Sequence, residues 1–244
     1  MRCFKVTLEY DGTDYAGFQF QAGQRSVQAE VERAVRQLTG EEVRVSGAGR
    51  TDAGVHALGQ VVGFRCETRI PTERMALALN SALPTDISAA GVSEVDERFH
   101  ARFSALSRAY AYVILNRPLP SAVFRRYTMH CPPPLDVAAM QEAASHLPGT
   151  RDFRAWANST AETNTTVRHV IRCRVRPVKS FVLVQVEANA FLRGMVRNVV
   201  GTLVEVGVGK RCPEDIPSIT ESRDRAQAGP SAPARGLCLV RVRY

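Results

Sequence analysis

The sequence predicts an α+β protein of two ferredoxin-like halves, with antiparallel or mixed sheets and an active-site cleft between them. Three observations lead there. Short alternating apolar and polar stretches mark strands, and stretches with apolar residues every three or four positions mark helices. The order of these elements, β-α-β-β-α-β, then occurs twice along the 244 residues. That order is the split β-α-β unit. The halves meet near residues 104 to 107, which gives domains 1–104 and 105–244.

In the first half, CFKVTLE (3–9) alternates as a strand. SVQAEVERAVRQLTG follows as a helix: Ser26 can cap it, Val27, Val31, Val35 and Leu38 share one face, and Gly40 ends it. EVRVS is expected to be a strand. The stretch GAGRTDAGVHALGQVV (47–62) then reads as a long loop running into a strand at QVVGF. Ordinary turns take about two to five residues, so a connection this long is there to hold something. A second helix is expected over TERMALALNSAL, with Thr72 as cap and Pro84 as stop, and a strand near ISAAGVSEV closes the half.

The second half opens with the strand AYAYVILN. Tyr110, Tyr112 and Ile114 lie on one side, and Ala111, Val113 and Leu115 on the other. Asp136 caps a helix in DVAAMQEAASHL. Two strands follow, VRHVIRCRVRPV and SFVLVQVEA, and then a helix from about Phe191 to Val206 with Leu192, Val196, Val199 and Leu203 inward. LCLVRVRY is the closing strand. The segment 207–236, rich in proline, glycine and charge, reads as a long surface excursion with one short helix.

Composition excludes several classes. Hydrophobic content of 45% and charged content of 23% fit an ordinary globular chain. The N-terminal MRCFKVTLEYDG is neither a signal peptide nor a membrane span, so a cytoplasmic location with no membrane association is expected. The six cysteines lie far apart with no C-x-x-C pair. That spacing fits reduced core thiols and speaks against a zinc site or a disulfide framework.

The net charge is +8, and it is unevenly spread. No acid occurs from Arg98 through Leu135, where Arg98, Arg102, Arg108, Arg117, Arg125 and Arg126 fall. From Thr163 through Val204 the only acid is Glu187, against six arginines and Lys179. Such tracts form a positive surface that attracts phosphate, or else a solvated basic face without a partner. Arginine over lysine favours the first, because its fork suits bidentate phosphate contacts.

Taken singly, the candidate residues are ambiguous. Asp52 between threonine and Ala-Gly suits a turn. His56 reads as structural or catalytic, Tyr110 as a core residue, and Arg197 as a surface charge. Arg193 and Arg197, four apart, would share a helical face beside the apolar stripe.

The set YDGTDYAGFQFQ (10–21), SVQAEVERAV (26–35), GAGRTDAGVHALGQVVGF (47–64), FHARFSALSRAYAY (99–112), NAFLRGMVRNVVG (189–201) and GLCLVRVRY (236–244) resembles the tRNA pseudouridine synthase A family. The match is ordered along nearly the whole chain, and its R-T-D-A-G-V-H-A segment is highly specific. Phe18 stands where the family usually has tryptophan, and Cys238 where an aromatic is common.

The resemblance implies isomerisation of uridine to pseudouridine at positions 38, 39 and 40 of the tRNA anticodon stem-loop, by a homodimer whose two subunits both touch each tRNA. It implies Asp52 as catalytic aspartate, Tyr110 as active-site tyrosine, Arg197 as basic partner of the acid, and Arg50 close by on the RNA. The reaction is an isomerisation that oxidises nothing and imports no group, so no cofactor and no metal are expected. Two other classes stay open on the residues alone: a non-catalytic RNA-binding protein, and a glycoside hydrolase. The second usually needs two carboxylates, and the acids nearest Asp52 along the chain are Glu42 and Glu67.

Overall fold

A computed structural model describes residues 1–158 and 163–244. Its class is α+β, and the chain divides into two compact units, Met1–Leu106 with Cys238–Tyr244, and Ser107–Leu237.

The first unit contains β1 (Arg2–Tyr10), α1 (Val27–Thr39), β2 (Ser46–Gly47), β3 (His56–Cys66), α2 (Thr72–Ala82) and β4 (Ile87–Glu94). Strand β1 lies between β4 and β3, antiparallel to both. The apolar residues Phe4, Val6 and Leu8 of β1 are fully buried, as the alternation requires. Helix α1 begins where the side chain of Ser26 accepts from the Ala29 N–H, 3.3 Å away. It ends at Gly40, whose φ of 78° is the left-handed conformation glycine adopts without a Cβ penalty.

Two expectations fail in this unit. EVRVS supplies only Ser46 to the two-residue β2, because the side chain of Glu32 and that of Gln28 bond the backbone of Val45 in place of a neighbouring strand. Thr72 does not cap α2. Pro71 holds the cap position, and the Thr72 hydroxyl accepts from Arg2 Nη2 at 2.7 Å.

The second unit contains β5 (Ser107–Asn116), β6 (Met129–Cys131), α3 (Val137–Ser145), β7 (Gly149–Asp152), β8 (Val167–Val178), β9 (Phe181–Ala188), α4 (Met195–Gly207) and α5 (Asp215–Ser222). Its sheet runs β5-β9-β8-β7 in antiparallel pairs, with β6 parallel to the end of β5. The side chain of Asp136 caps α3, accepting from the Ala139 N–H at 2.9 Å. Helix α3 packs on β8 and on α4. The single tryptophan, Trp156, is completely buried in a 3-10 turn, and its indole N–H donates to Thr220 of α5 at 3.1 Å.

The segment after α4 is not a surface excursion. Ile216, Ile219, Ala228 and Ala232 are buried, and the carbonyl of Pro230 presses against Gly201, where α4 has no side chain to obstruct it. The last strand is β10 (Leu237–Arg243), at the residues expected for it. Residues 238–244 group with the first unit, where Cys238 and Leu239 run parallel to His56 and Ala57 of β3.

Among the described residues no helix is long and apolar enough to cross a membrane. All six cysteines are free thiols, and Cys3, Cys66, Cys131 and Cys173 are buried.

Candidate active site

The residues of the expected long loop occupy a smaller span than the sequence suggests. Strand β3 begins at His56, so the connection from β2 runs only from Ala48 to Val55. His56 is therefore the first residue of a strand. It is buried, and its Nδ1 accepts from the Gly12 N–H at 3.1 Å. Asp11 Oδ1 stands equally near that nitrogen. An Nδ1 that accepts from Gly12 carries no proton for a carboxylate, and Asp11 Oδ1 already accepts from the Thr13 N–H and hydroxyl. His56 thus fastens the start of β3 to the end of β1.

The loop is braced from below by YDGTDYAGF. The N–H of Phe18 donates to the Thr51 carbonyl at 3.0 Å. Gly17, at φ +112°, lies directly against the backbone of residues 51–53, and Gly12 lies against Val55. A side chain at either glycine would displace the loop. The buried ring of Phe18 packs over Gly47. These glycines are visible in the sequence as part of a family pattern, but nothing local says that their partner is residues 51–55.

From above, two buried polar side chains reach the same loop. The Tyr10 and Thr51 hydroxyls share a hydrogen bond of 2.8 Å, and Gln60 Nε2 donates to the Gly49 carbonyl at 2.8 Å. Thr51 itself is only 6% exposed. Its neighbours differ: Arg50 is exposed and Asp52 half-buried. A turn closes the segment where the Val55 N–H donates to the Asp52 carbonyl at 3.1 Å. The first unit thus holds Arg50 and Asp52 on a short, heavily braced bend.

The second unit holds Tyr110 and Arg197. Tyr110 sits on β5 opposite Val186 of β9 and is 8% exposed. Phe191 meets its ring edge to face, with centroids 5.1 Å apart at 88°. Arg197 is half-buried in the first turn of α4. Its Nε donates to the Ala232 carbonyl at 2.7 Å, and its own carbonyl accepts from the Ala232 N–H at 3.0 Å. The neighbouring Tyr112 donates to the Pro233 carbonyl at 2.7 Å. Burial pushes the Tyr112 phenol up, against the opposing pull of Arg197 and Arg235. The segment read as an excursion is what positions this guanidinium.

Arg193 does not share the helix face of Arg197. Gly194 is the N-cap of α4, with φ 75°, so Arg193 precedes the helix and is exposed. A glycine in the left-handed conformation breaks the periodicity there.

The arginine tracts divide into two kinds. Arg108 and Arg168 are buried, and Arg108 Nη1 donates to the Asn189 carbonyl at 2.7 Å. Glu187, the one acid of the second tract, is also buried, where it accepts from Ser107 at 2.8 Å and from Arg172 at 3.3 Å. Arg174, Arg176 and Lys179 on and after β8 are exposed, as are Arg117, Arg125 and Arg126. Only this second kind carries its charge at the surface.

A family model described as tRNA pseudouridine synthase matches residues 7–104 and 143–244. Among curated relatives, the tRNA pseudouridine synthase A of Moorella thermoacetica is 49% identical over 246 residues. The proteins of that name from Acetivibrio thermocellus and Caldicellulosiruptor saccharolyticus are 46% and 44% identical over 244 residues. Each of the three alignments spans 100% of both chains. The braced bend around Asp52 falls inside the matched residues, as do Arg50, Tyr110's partner strand β9 and Arg197. The chain belongs to the tRNA pseudouridine synthase family.

Proposed function

We propose that this chain isomerises uridine to pseudouridine at positions 38, 39 and 40 of the tRNA anticodon stem-loop, with Asp52 as nucleophile. The observation that carries the reading is the setting of Asp52: a half-buried carboxylate on a bend whose flanking backbone is tied down at Gly49, Thr51 and Val55. Such a support holds a reacting oxygen in one place, which is where much of an enzyme's advantage over solution lies.

The chemistry assigns the other residues. The bond from ribose C1′ to uracil N1 breaks, the base turns, and C1′ bonds to C5. The proton on C5 leaves and N1 gains one, so atoms and electrons balance without a co-reactant. An ionised carboxylate splits this into two easier steps by bonding transiently to the uracil ring or the sugar carbon. Arg197 has the role of keeping that carboxylate ionised. Tyr110 presents an aromatic face for the extruded base and a hydroxyl for the C5 proton. Arg50 has the role of filling the space the base vacates, or of holding the adjoining phosphate. Extrusion from a stem costs a few kcal/mol, and close approach by the glycine- and alanine-rich bend makes it feasible.

The finer architecture follows the same reading. The order β4-β1-β3 with β2 on β3, and the order β5-β9-β8, support two ferredoxin-like halves over 1–104 and 105–244. A homodimer acting on tRNA in the cytoplasm completes the proposal, with light scattering as the check on its mass.

The deciding experiment is a position-resolved pseudouridine map of unmodified tRNA before and after incubation with the protein. New pseudouridine at 38 to 40 supports the reading. Bound tRNA without product would point to an RNA-binding protein, and free uracil to a hydrolase.

A further inference from the structure

We propose that Tyr10 and Gln60 form a buried clamp that sets the position of Asp52, and are positioning residues for the reaction. The inference rests on Asp52 being the nucleophile.

The clamp is built from the two central strands of the first unit. Tyr10 ends β1 and Gln60 lies within β3, and they are 3% and 0% exposed. Strand pairing runs regularly through Leu8 opposite Gln60, and then shifts so that Tyr10 faces Ala57. One extra residue on β3 accommodates that shift. Bulges of this kind re-aim side chains and favour the neighbourhood of active sites.

What the two side chains touch is decisive. Tyr10 shares its hydroxyl with Thr51, and Gln60 gives one amide hydrogen to the Gly49 carbonyl. The same amide nitrogen lies 3.5 Å from the Tyr10 oxygen, and the amide oxygen accepts from the Val61 N–H at 3.1 Å. Positions 49 and 51 are thereby tied to the interior, while Arg50 between them is exposed and Asp52 beside them is half-buried. Two apolar side chains would fill this part of the core at less risk of an unsatisfied polar atom. A polar pair whose remaining bonds go to the residues alternating with Arg50 and Asp52 contributes placement. Burial also pushes the Tyr10 phenol up to about 12, so it stays neutral and able to share a proton with Thr51 across any working pH.

The test compares single-turnover rates and tRNA affinity for Tyr10→Phe, Thr51→Val, Thr51→Ser and the double variant Tyr10→Phe/Thr51→Val, with Asp52→Asn alongside. All are assayed well below their melting temperatures. The expected result is a rate loss of roughly tenfold or more for Tyr10→Phe and for Thr51→Val, with tRNA affinity unchanged, because small displacements of a reacting group cost rate steeply. Thr51→Ser, which keeps the hydroxyl, should retain the rate within about twofold. The double variant should be no slower than the slower single, the mark of one shared interaction. Lower melting temperatures with unchanged rates would overturn the clamp, provided Asp52→Asn is inactive. Full activity in Asp52→Asn would overturn the nucleophile and the clamp with it.

Discussion

A Cβ placed on Gly17 would stand 2.8 Å from the carbonyl oxygen of Thr51, the residue between Arg50 and Asp52. The glycine is also at φ +112°, where an L side chain is strained whatever the space around it. The strand-end motif and the charged bend are therefore fitted to one another at the level of the backbone.

Gly17→Ala should destabilise the protein by about 3 kcal/mol, combining backbone strain with a clash against a carbonyl that Phe18 also holds. A urea midpoint measured by circular dichroism checks this. A shift smaller than a third of that size would mean that residues 51–53 move aside freely.

Asp52→Asn keeps the size of the side chain and removes its nucleophilic oxygen. Turnover should fall below detection while tRNA affinity stays within a few fold, as expected for a group that acts in the chemical step. Filter binding and a pseudouridine assay on the same preparation read both.

Tyr110→Phe preserves the ring and its edge contact with Phe191 while deleting the hydroxyl. Single-turnover rates should drop by about 10²-fold or more if that oxygen takes the C5 proton. An unchanged rate removes the proton-transfer role and leaves the aromatic face.

Arg174 and Arg176 are exposed on β8, and reversing both to glutamate should weaken tRNA binding without harming the fold. The salt dependence of binding should flatten by roughly 0.7 to 0.9 for each phosphate no longer neutralised. Stability should change by about 0.5 kcal/mol or less. Arg108→Ala is the contrasting case: Arg108 is buried and donates to Asn189, so its removal should lower the urea midpoint.

Alkaline pH should expose the buried phenol. Burial raises Tyr10 from 10.0 to about 12, so the folded state favours the neutral form. That stability is complete below pH 10 and is lost as pH climbs from 10 toward 12. At pH 11 the loss from this one group is about 1 kcal/mol. Urea midpoints at pH 9 and pH 11 should therefore converge in Tyr10→Phe relative to the unmodified chain, even though other buried groups such as Cys173 still titrate.

What the sequence makes legible is whatever is encoded locally. Ser26 and Gly40 bracket α1 because cap and left-handed stop act on their own turn. Strand β8 occupies the residues VRHVIRCRVRPV, whose alternation is unbroken over most of its length. Local pattern fails where a distant group decides. Thr72 is taken by Arg2 across the fold, EVRVS surrenders its backbone to Glu32 and Gln28, and residues 207–236 are held inward by Gly201 and Trp156. The same holds for the candidate site. Arg50, Asp52, Tyr110 and Arg197 stand out through their motifs, whereas Tyr10 and Gln60 lie in the same motifs without a chemical role of their own and gain one only from hydrogen bonds between β1, β3 and the bend.

The lone indole carries a practical consequence. Trp156 is sealed in the core of the second unit and no other tryptophan exists, so blue-shifted emission excited at the red edge comes from that unit alone. Loosening of α5 or of its threonine would redden the spectrum, while the bend bearing the aspartate could unravel in the dark. A second indole introduced at Phe18, where a large aromatic already packs, would give the other unit a voice of its own.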